Sequence, residues 1–435
     1  GLTPSPMKPG KKIDTTPFDR HREPPRQNLL AMCFFWVYCW ILTRANRLKI
    51  RKVGMEGVKP PYLVLGNHLS FTDFLVTPLV LFPHRANYVS ELEGFEAYGE
   101  WAYRHIGCLG TRKFVNDLAL VKNIRRVLER GDILVLYPEA RYCNVGTTSR
   151  IPDSVGKLAK HLGVPVVVLS MKGNYLQSPI WNLQPRKEAR LEATLSLLMD
   201  AREVSAMDAS RIQERIQESL RHDEYAWQQE RKMAITHPLR AEGLEKVLYQ
   251  CRACRELFSM ASAGAHLHCT CCGARWHMTE YGKLEPVARQ GAAAGNGAPI
   301  HIPDWYEWQR REVESEIAAG TYGLSMRVRI ESLPNAVNFI DLGEGRLAHT
   351  PEGFALTFVE HGDTEAKTLL FPSAGMFSIH TETDYRQKGQ CVTLSTLDNT
   401  YFLFPLEPGF NATRIQFATE RFHQSARSRR RDTPA

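Results

Sequence analysis

From about residue 53 to residue 200, short apolar runs alternate with stretches of helical periodicity, and this alternation restricts the fold more than any other feature of the chain. YLVL at 62–65, DILVLY at 132–137 and VPVVVLS at 164–170 read as strands covered on both faces. Between the first two, DLALVKNIRRVLERG repeats its apolar residues at the helical period and stops at Gly131, which supports the left-handed turn that ends a helix. Strands and helices in alternation predict an α/β domain built on a mostly parallel sheet with flanking helices.

The chain has 435 residues, more than one such domain needs, and its 43% hydrophobic and 23% charged residues are those of a globular protein. That composition excludes wholesale disorder, collagen and a polytopic membrane bundle. A helical stretch over about 205–235 is followed by a cysteine cluster, and RQGAAAGNGAP at 289–299 has the composition of a linker. Beyond it, DWYEWQRREVESEIAAG reads as a helix, and LSMRVRI places Leu324, Met326, Val328 and Ile330 on one face of a strand. RLAHT, FALTFVE, TLLF, MFSIHT, CVTLST and YFLFPL follow as further strands, and RIQFATERFHQ as a closing helix. These predict a small antiparallel β domain with a terminal helix, similar in outline to a pleckstrin-homology domain. The expected organisation is a basic, Pro-rich and poorly ordered arm at 1–27, a membrane helix at 28–52 and the α/β domain at 53–245. A zinc ribbon at 246–285, a linker at 286–303 and the β domain with flanking helices at 304–435 complete it.

The formal charge of +8 is concentrated at the start: residues 1–52 hold eleven Lys or Arg against three Asp or Glu, an excess equal to that of the whole chain. Within this basic region, LLAMCFFWVYCWILT at 29–43 carries no charge and is flanked by Arg26 and by Arg44, Arg47, Lys49, Arg51 and Lys52. At about 1.5 Å per residue the run reaches about 22 Å, less than the roughly 30 Å hydrocarbon layer. Monotopic or peripheral attachment at the cytoplasmic face of the cell membrane is expected, with cations at the head groups. A buried core helix is the alternative. No small-x-small cleavage site of a signal peptide follows the run.

Of ten cysteines, Cys33, Cys39, Cys108, Cys143 and Cys391 are scattered and read as ordinary buried thiols. Cys251-x-x-Cys254, fourteen residues, then Cys269-x-x-Cys272 form two chelating pairs at the spacing of a structural zinc ribbon. A structural Zn²⁺ on Cys251, Cys254, Cys269 and Cys272 is the expectation. Cys271, His266, His268 and His277 are further ligands within reach, and paired disulfides the second reading.

The strongest chemical signal is GNHLSFTDF at 66–74, where a strand ends and an apolar helix begins. On a continuous helix His68 and Asp73, five apart, would lie about 140° from each other. With His68 on the loop and Asp73 in the first helical turn, the carboxylate can reach one imidazole nitrogen. Ser70 and Asp73 alone would also make a helix-capping pair.

Gly107-Cys108-Leu109-Gly110-Thr111-Arg112, then Tyr137-Pro138-Glu139-Ala140-Arg141, then Val164-Pro165-Val166-Val167 follow in order. The set resembles the glycerolipid acyltransferase family that includes bacterial 1-acyl-glycerol-3-phosphate acyltransferases, whose blocks are NHxxxxD, a Gly-rich block ending in Arg, FPEGTRS and a Pro-centred strand. The third block departs from the pattern: Ala140 replaces glycine, and Arg141 lies two residues after Glu139 rather than three. Lys113 can take the place of Arg112. The resemblance covers about 53–235 and implies His68 as base and Asp73 as its orienting carboxylate. It places Asn67, Arg112, Glu139 and Arg141 at the acceptor, the arginines on its phosphate, with Lys172 a further candidate.

An alcohol is a weak nucleophile at neutral pH, so a base must remove its proton as it attacks a thioester, and imidazole suits that role. No Gly-x-Ser-x-Gly elbow is present, so direct transfer is expected rather than an acyl-enzyme. The reading is acyl transfer from acyl-CoA or acyl-carrier protein, the co-substrates, to the sn-2 hydroxyl of lysophosphatidate. Another lysophospholipid or a hydroxylated lipid is the alternative acceptor. The partners are membrane lipids, the acceptor and the donor carrier, and nucleic acid is not expected. A non-enzymatic, membrane-tethered zinc-ribbon scaffold is the remaining reading, supported by Arg427, Arg429, Arg430 and Arg431.

Overall fold

The computed structural model describes residues 14–288, 298–360 and 364–432, with 430–432 as backbone only. The beginning of the expected basic arm and most of the expected linker, 289–297, lie outside the described residues.

The fold is mixed α/β. Seven strands form the first sheet, in the spatial order Lys49–Val53, Glu192–Met199, Val166–Lys172, Leu63–Gly66, Ile133–Leu136, Ala86–Glu91 and Cys108–Thr111. Every neighbouring pair is parallel except Val166–Lys172 with Glu192–Met199. Leu63, Leu65, Leu134, Val166 and Val168 pack on one face against Ile124, Val127, Val155, Ile212 and Ile216 of helices Leu118–Glu129, Ser154–Leu162 and Ala209–Ser219. Val64, Val135, Val167 and Leu169 point to the other face, into a core shared with the cysteine-bearing module and the C-terminal helix. Burial on both faces explains why these strands read as unbroken aliphatic runs. The stretch expected as one helix over 205–235 is three, Ala201–Ala206, Ala209–Ser219 and Glu224–Glu230, the later two started by Asp208 and Asp223, whose side chains accept from backbone N–H groups of the first turn.

The arm differs from expectation. Residues 14–27 are held down as a strap. Phe18 packs edge-on against Phe95 with centroids 5.7 Å apart, under the Arg104 guanidinium. Gln27 donates to Ile106 O and accepts from Ala86 N, 3.0 Å each, and Arg26 pairs with Asp132. One aromatic anchor and several long-range hydrogen bonds offset the ordering entropy that Pro-rich, charged composition alone would not.

Helix Leu29–Thr43 follows, started by Asn28, whose side chain accepts from Leu30 N and Ala31 N. It rests on helix Thr72–Leu81 through Cys39, Leu75 and Leu79, with Phe35 against Phe74 and Trp36 against Phe82. Leu30, Phe34, Val37, Tyr38, Trp40 and Ile41 stay exposed, and so does Cys33, which is not the buried thiol expected from the sequence. Continued by a 3₁₀ turn to Asn46, the segment is long and apolar enough to cross a membrane.

The cysteine-bearing module is a five-stranded antiparallel meander running from Met260–Ala263 to Ile300–His301. After helix Ile302–Ala318 comes a seven-stranded antiparallel sheet ordered Ala366–Pro372, Gly353–Val359, Ile340–Thr350, Leu324–Ser332, Thr400–Pro405, Cys391–Ser395 and His380–Glu382. Helix Ala412–Asp432 closes the chain.

Candidate active site

Parallel sheets gather functional loops at the carboxyl ends of their strands, and the conspicuous residues lie there. Lys172 ends one strand, and His68 follows Gly66 at the end of the next. Glu139 follows Ile133–Leu136, Glu91 ends Ala86–Glu91, and Lys113 comes just after Cys108–Thr111. Gly107, which opens the last of these, has φ 101°, and a Cβ there would stand 2.5 Å from Ala86 O, so glycine is required for the two strands to approach.

His68 Nδ1 is 3.2 Å from Asp73 Oδ2, the juxtaposition expected from the loop-to-helix spacing. Asp73 is buried and fully engaged. Its Oδ2 also accepts from Leu69 N and Ser70 N, at 2.5 and 3.1 Å, and Oδ1 from Asn174 Nδ2 at 2.8 Å. The same carboxylate therefore ties down the loop ahead of the helix and faces the imidazole, while Ser70 Oγ accepts from Thr72 N in the first helical turn. An ionised Asp73 can only accept, which places the His68 proton on Nδ1 and a lone pair on Nε2. No partner among the described residues holds Nε2. The ring is fixed between Tyr137, stacked at 4.5 Å, and Tyr142, tilted at 4.5 Å.

Glu139 supports the loop from below: Oε1 accepts from His68 N at 2.9 Å and Oε2 from Ser149 N at 2.6 Å. Burial pushes its carboxyl up to about 7, against the opposing pull of those N–H groups and of Arg141. Asn67 clamps the neighbouring strand, donating to Met171 O and accepting from Met171 N at 2.8 Å each, and so directs its amide away from any ligand.

The two arginines do not converge on His68. Arg112 is buried and donates to Leu333 O, Thr400 Oγ1, Pro334 O and Asp398 O, at 2.7 to 3.1 Å, all in the C-terminal sheet and its loops. Arg141 donates to Gln416 and pairs at 3.4 Å with Glu420 of the C-terminal helix, a buried carboxylate also met by Arg150 and Arg310. Lys172 is half-buried and makes no ion pair among the described residues. Lys113, at the carboxyl end of the sheet like His68, pairs with Glu91, and its Nζ lies 3.0 Å from His380 Nδ1.

A second cluster lies in the cysteine-bearing module. The sulfurs of Cys251, Cys254, Cys269 and Cys272 all lie within 4.8 Å of one another, with 3.8 Å between Cys251 and Cys272 and 3.7 Å between Cys254 and Cys269. Zn–S bonds of about 2.3 Å in a tetrahedron put sulfurs about 3.8 Å apart, so the set fits a metal ion. Ala253 N and Cys272 N donate to Cys251 Sγ and Cys269 Sγ; against burial, the donors hold the Cys269 thiol below its ordinary range, whereas burial outweighs them and pushes the Cys251 thiol up. No disulfide joins two cysteines among the described residues, and Cys271 and the three histidines stand outside the group.

Residues 47–172 match the acyltransferase family, a span that takes in the parallel sheet from Lys49–Val53 through Val166–Lys172 and the loops that carry His68, Asp73 and Glu139. Among solved structures, the chain is similar to the 1-acyl-sn-glycerophosphate (LPA) acyltransferase PlsC from Thermotoga maritima. That match has 15% identity and a TM-score of 0.34, and covers 43% of this chain and 78% of that one. No curated protein matches the chain.

Proposed function

We propose that this protein is a membrane-associated O-acyltransferase in which His68 is the general base and Asp73 orients it. The observation that carries the reading is the 3.2 Å contact of His68 Nδ1 with a buried, fully bonded carboxylate, leaving Nε2 uncommitted. Nε2 takes the proton of a lipid hydroxyl as its oxygen attacks the carbonyl carbon of an acyl thioester. The C–O bond forms, the C–S bond breaks, and the imidazolium returns the proton to the departing thiolate. Asp73 stabilises the transient charge and keeps the tautomer.

The donor is acyl-CoA or acyl-carrier protein. Lysophosphatidate, giving phosphatidate, is the acceptor that the motif resemblance suggests. The engagement of Arg112 and Arg141 with the C-terminal sheet and helix favours instead a lysophospholipid with a substituted phosphate, or another hydroxylated lipid. The exposed apolar face of Leu29–Thr43 and the exposed basic strand Lys49–Val53 support attachment at a membrane surface, with the cations at anionic head groups. In the ribbon, Cys251, Cys254, Cys269 and Cys272 would hold Zn²⁺, which when bound cross-links two turns and performs no chemistry on the substrate.

The test is acyl transfer from acyl-CoA or acyl-carrier protein to lysolipids in vesicles. Replacing His68 with Ala is expected to reduce turnover by about 10²- to 10⁴-fold with the melting temperature retained. Full turnover by that variant would end the base assignment. A wild-type protein inert toward every donor and acceptor would leave the scaffold reading.

A further inference from the structure

We propose that the acceptor's head group is held by a run of four side chains, Glu91, Lys113, His380 and Glu382, two of them supplied by the C-terminal sheet, and that this run selects a zwitterionic, ammonium-bearing head group over a terminal phosphate. The inference rests on the acyltransferase reading of His68 and names the acceptor class of that same site.

Glu91 and Lys113 stand at or just past the carboxyl ends of adjacent parallel strands, paired with each other. Strand His380–Glu382, the edge of the C-terminal sheet, faces them. His380 lies 3.0 and 3.2 Å from Lys113 through its two ring nitrogens, and its Nε2 is 2.8 Å from Glu382 Oε1. The four side chains thus form one continuous chain of contacts bridging the parallel-sheet domain and the C-terminal sheet. It lies at the same carboxyl end of the parallel sheet as the base: Ala86–Glu91 is separated from Leu63–Gly66, whose loop carries His68, by the single strand Ile133–Leu136. The neighbouring Glu93 adds a further carboxyl, raised to about 8 by burial and by the charge of Glu91.

Two carboxylates face one lysine in this run, and that lysine is already shared. A dianionic phosphate monoester entering it would meet Glu91 and Glu382 against a lysine already paired with Glu91, and Arg112 and Arg141 are committed to the C-terminal sheet and helix. A zwitterion meets complementary charge at both of its ends. Its phosphodiester pairs with Lys113, and its ammonium takes the place of that lysine on Glu91 or joins His380 on Glu382. Since two of the four groups come from residues 380–382, the C-terminal sheet is part of the acceptor site rather than a remote appendage.

Transfer from one acyl-CoA to lysophosphatidylethanolamine and to lysophosphatidate, each in phosphatidylcholine vesicles, tests this on the full chain. We expect kcat/KM to favour the ethanolamine acceptor at least about tenfold, and Glu382→Gln to reduce that preference by about tenfold. Both acceptors are measured on one preparation, so the ratio is insensitive to the folded fraction. As a second variant, Lys113→Met is expected to slow both acceptors without reversing their order. A wild-type preference for lysophosphatidate, or a ratio unmoved by Glu382→Gln, would overturn the inference while leaving the base assignment intact. Absence of transfer to either acceptor, and to all others, would overturn the enzymatic reading and this inference with it.

Discussion

Ala140 holds a left-handed backbone, φ 56°, at the position where the resembled block has glycine, between the buried Glu139 and Arg141. A Cβ in that conformation costs about 1 kcal/mol, and a second branch on it costs more. Replacing Ala140 with Gly is therefore expected to be neutral or stabilising by up to about 1 kcal/mol, with glycine's larger unfolded-state entropy offsetting part of the relieved strain. Replacing it with Val is expected to lose about 2 kcal/mol or more, and thermal or urea melting reads both. At this scale the sequence shows the pairing of His68 with Asp73, because five residues and one loop-to-helix boundary fix it. It does not show what Arg112 and Arg141 do. Their partners lie 221 and 279 residues away in the chain, at Leu333 and Glu420, and no local pattern encodes a contact of that range.

Among the elements, the strands legible in advance are those buried on both faces, where selection for aliphatic residues is strongest. Ala86–Glu91 and Cys108–Thr111, at one end of the sheet, escape notice because ANYVSE and CLGT mix polar and small residues. Their positions matter nonetheless, since they deliver Glu91 and Lys113 to the site. The cysteine module is the opposite case. Two short spacings read from the sequence anticipate the four sulfurs that come within 4.8 Å of each other. Purified protein is expected to carry about one zinc per chain, and chelation to lower the melting temperature of this module. Replacing Cys269 with Ser should abolish metal retention, whereas replacing the exposed Cys271 with Ser should not, as read by elemental analysis of the desalted protein.

For the whole molecule, the deciding contacts are those by which the C-terminal sheet and helix sit on the parallel-sheet domain. Glu420 is fully buried and answers three guanidinium groups, those of Arg141, Arg150 and Arg310. Those charges hold its carboxyl below its ordinary range even though burial, the largest influence, opposes them. Removing one partner of a buried ion pair costs about 3 to 5 kcal/mol because the charges left behind keep their desolvation penalty. Replacing Glu420 with Gln is accordingly expected to lower the melting temperature by several degrees, as read by thermal unfolding. An unchanged melting curve would show that the arginines find other anions. None of this arrangement is visible in composition, where the β domain reads as a separate module behind a linker.

Phe18 N donates to Pro334 O at 2.9 Å, and Asn335 Nδ2 donates to Asp14 O and Thr16 O. The strap that precedes the apolar helix is thereby sewn to a turn made more than three hundred residues later. During synthesis the ribosome releases residues 14–18 long before their partners exist, at a pace of about 5 to 20 residues per second. A segment made early is thus among the last to find its place, and a nascent chain stalled short of residue 334 leaves that stitch undone whatever the parallel sheet has achieved.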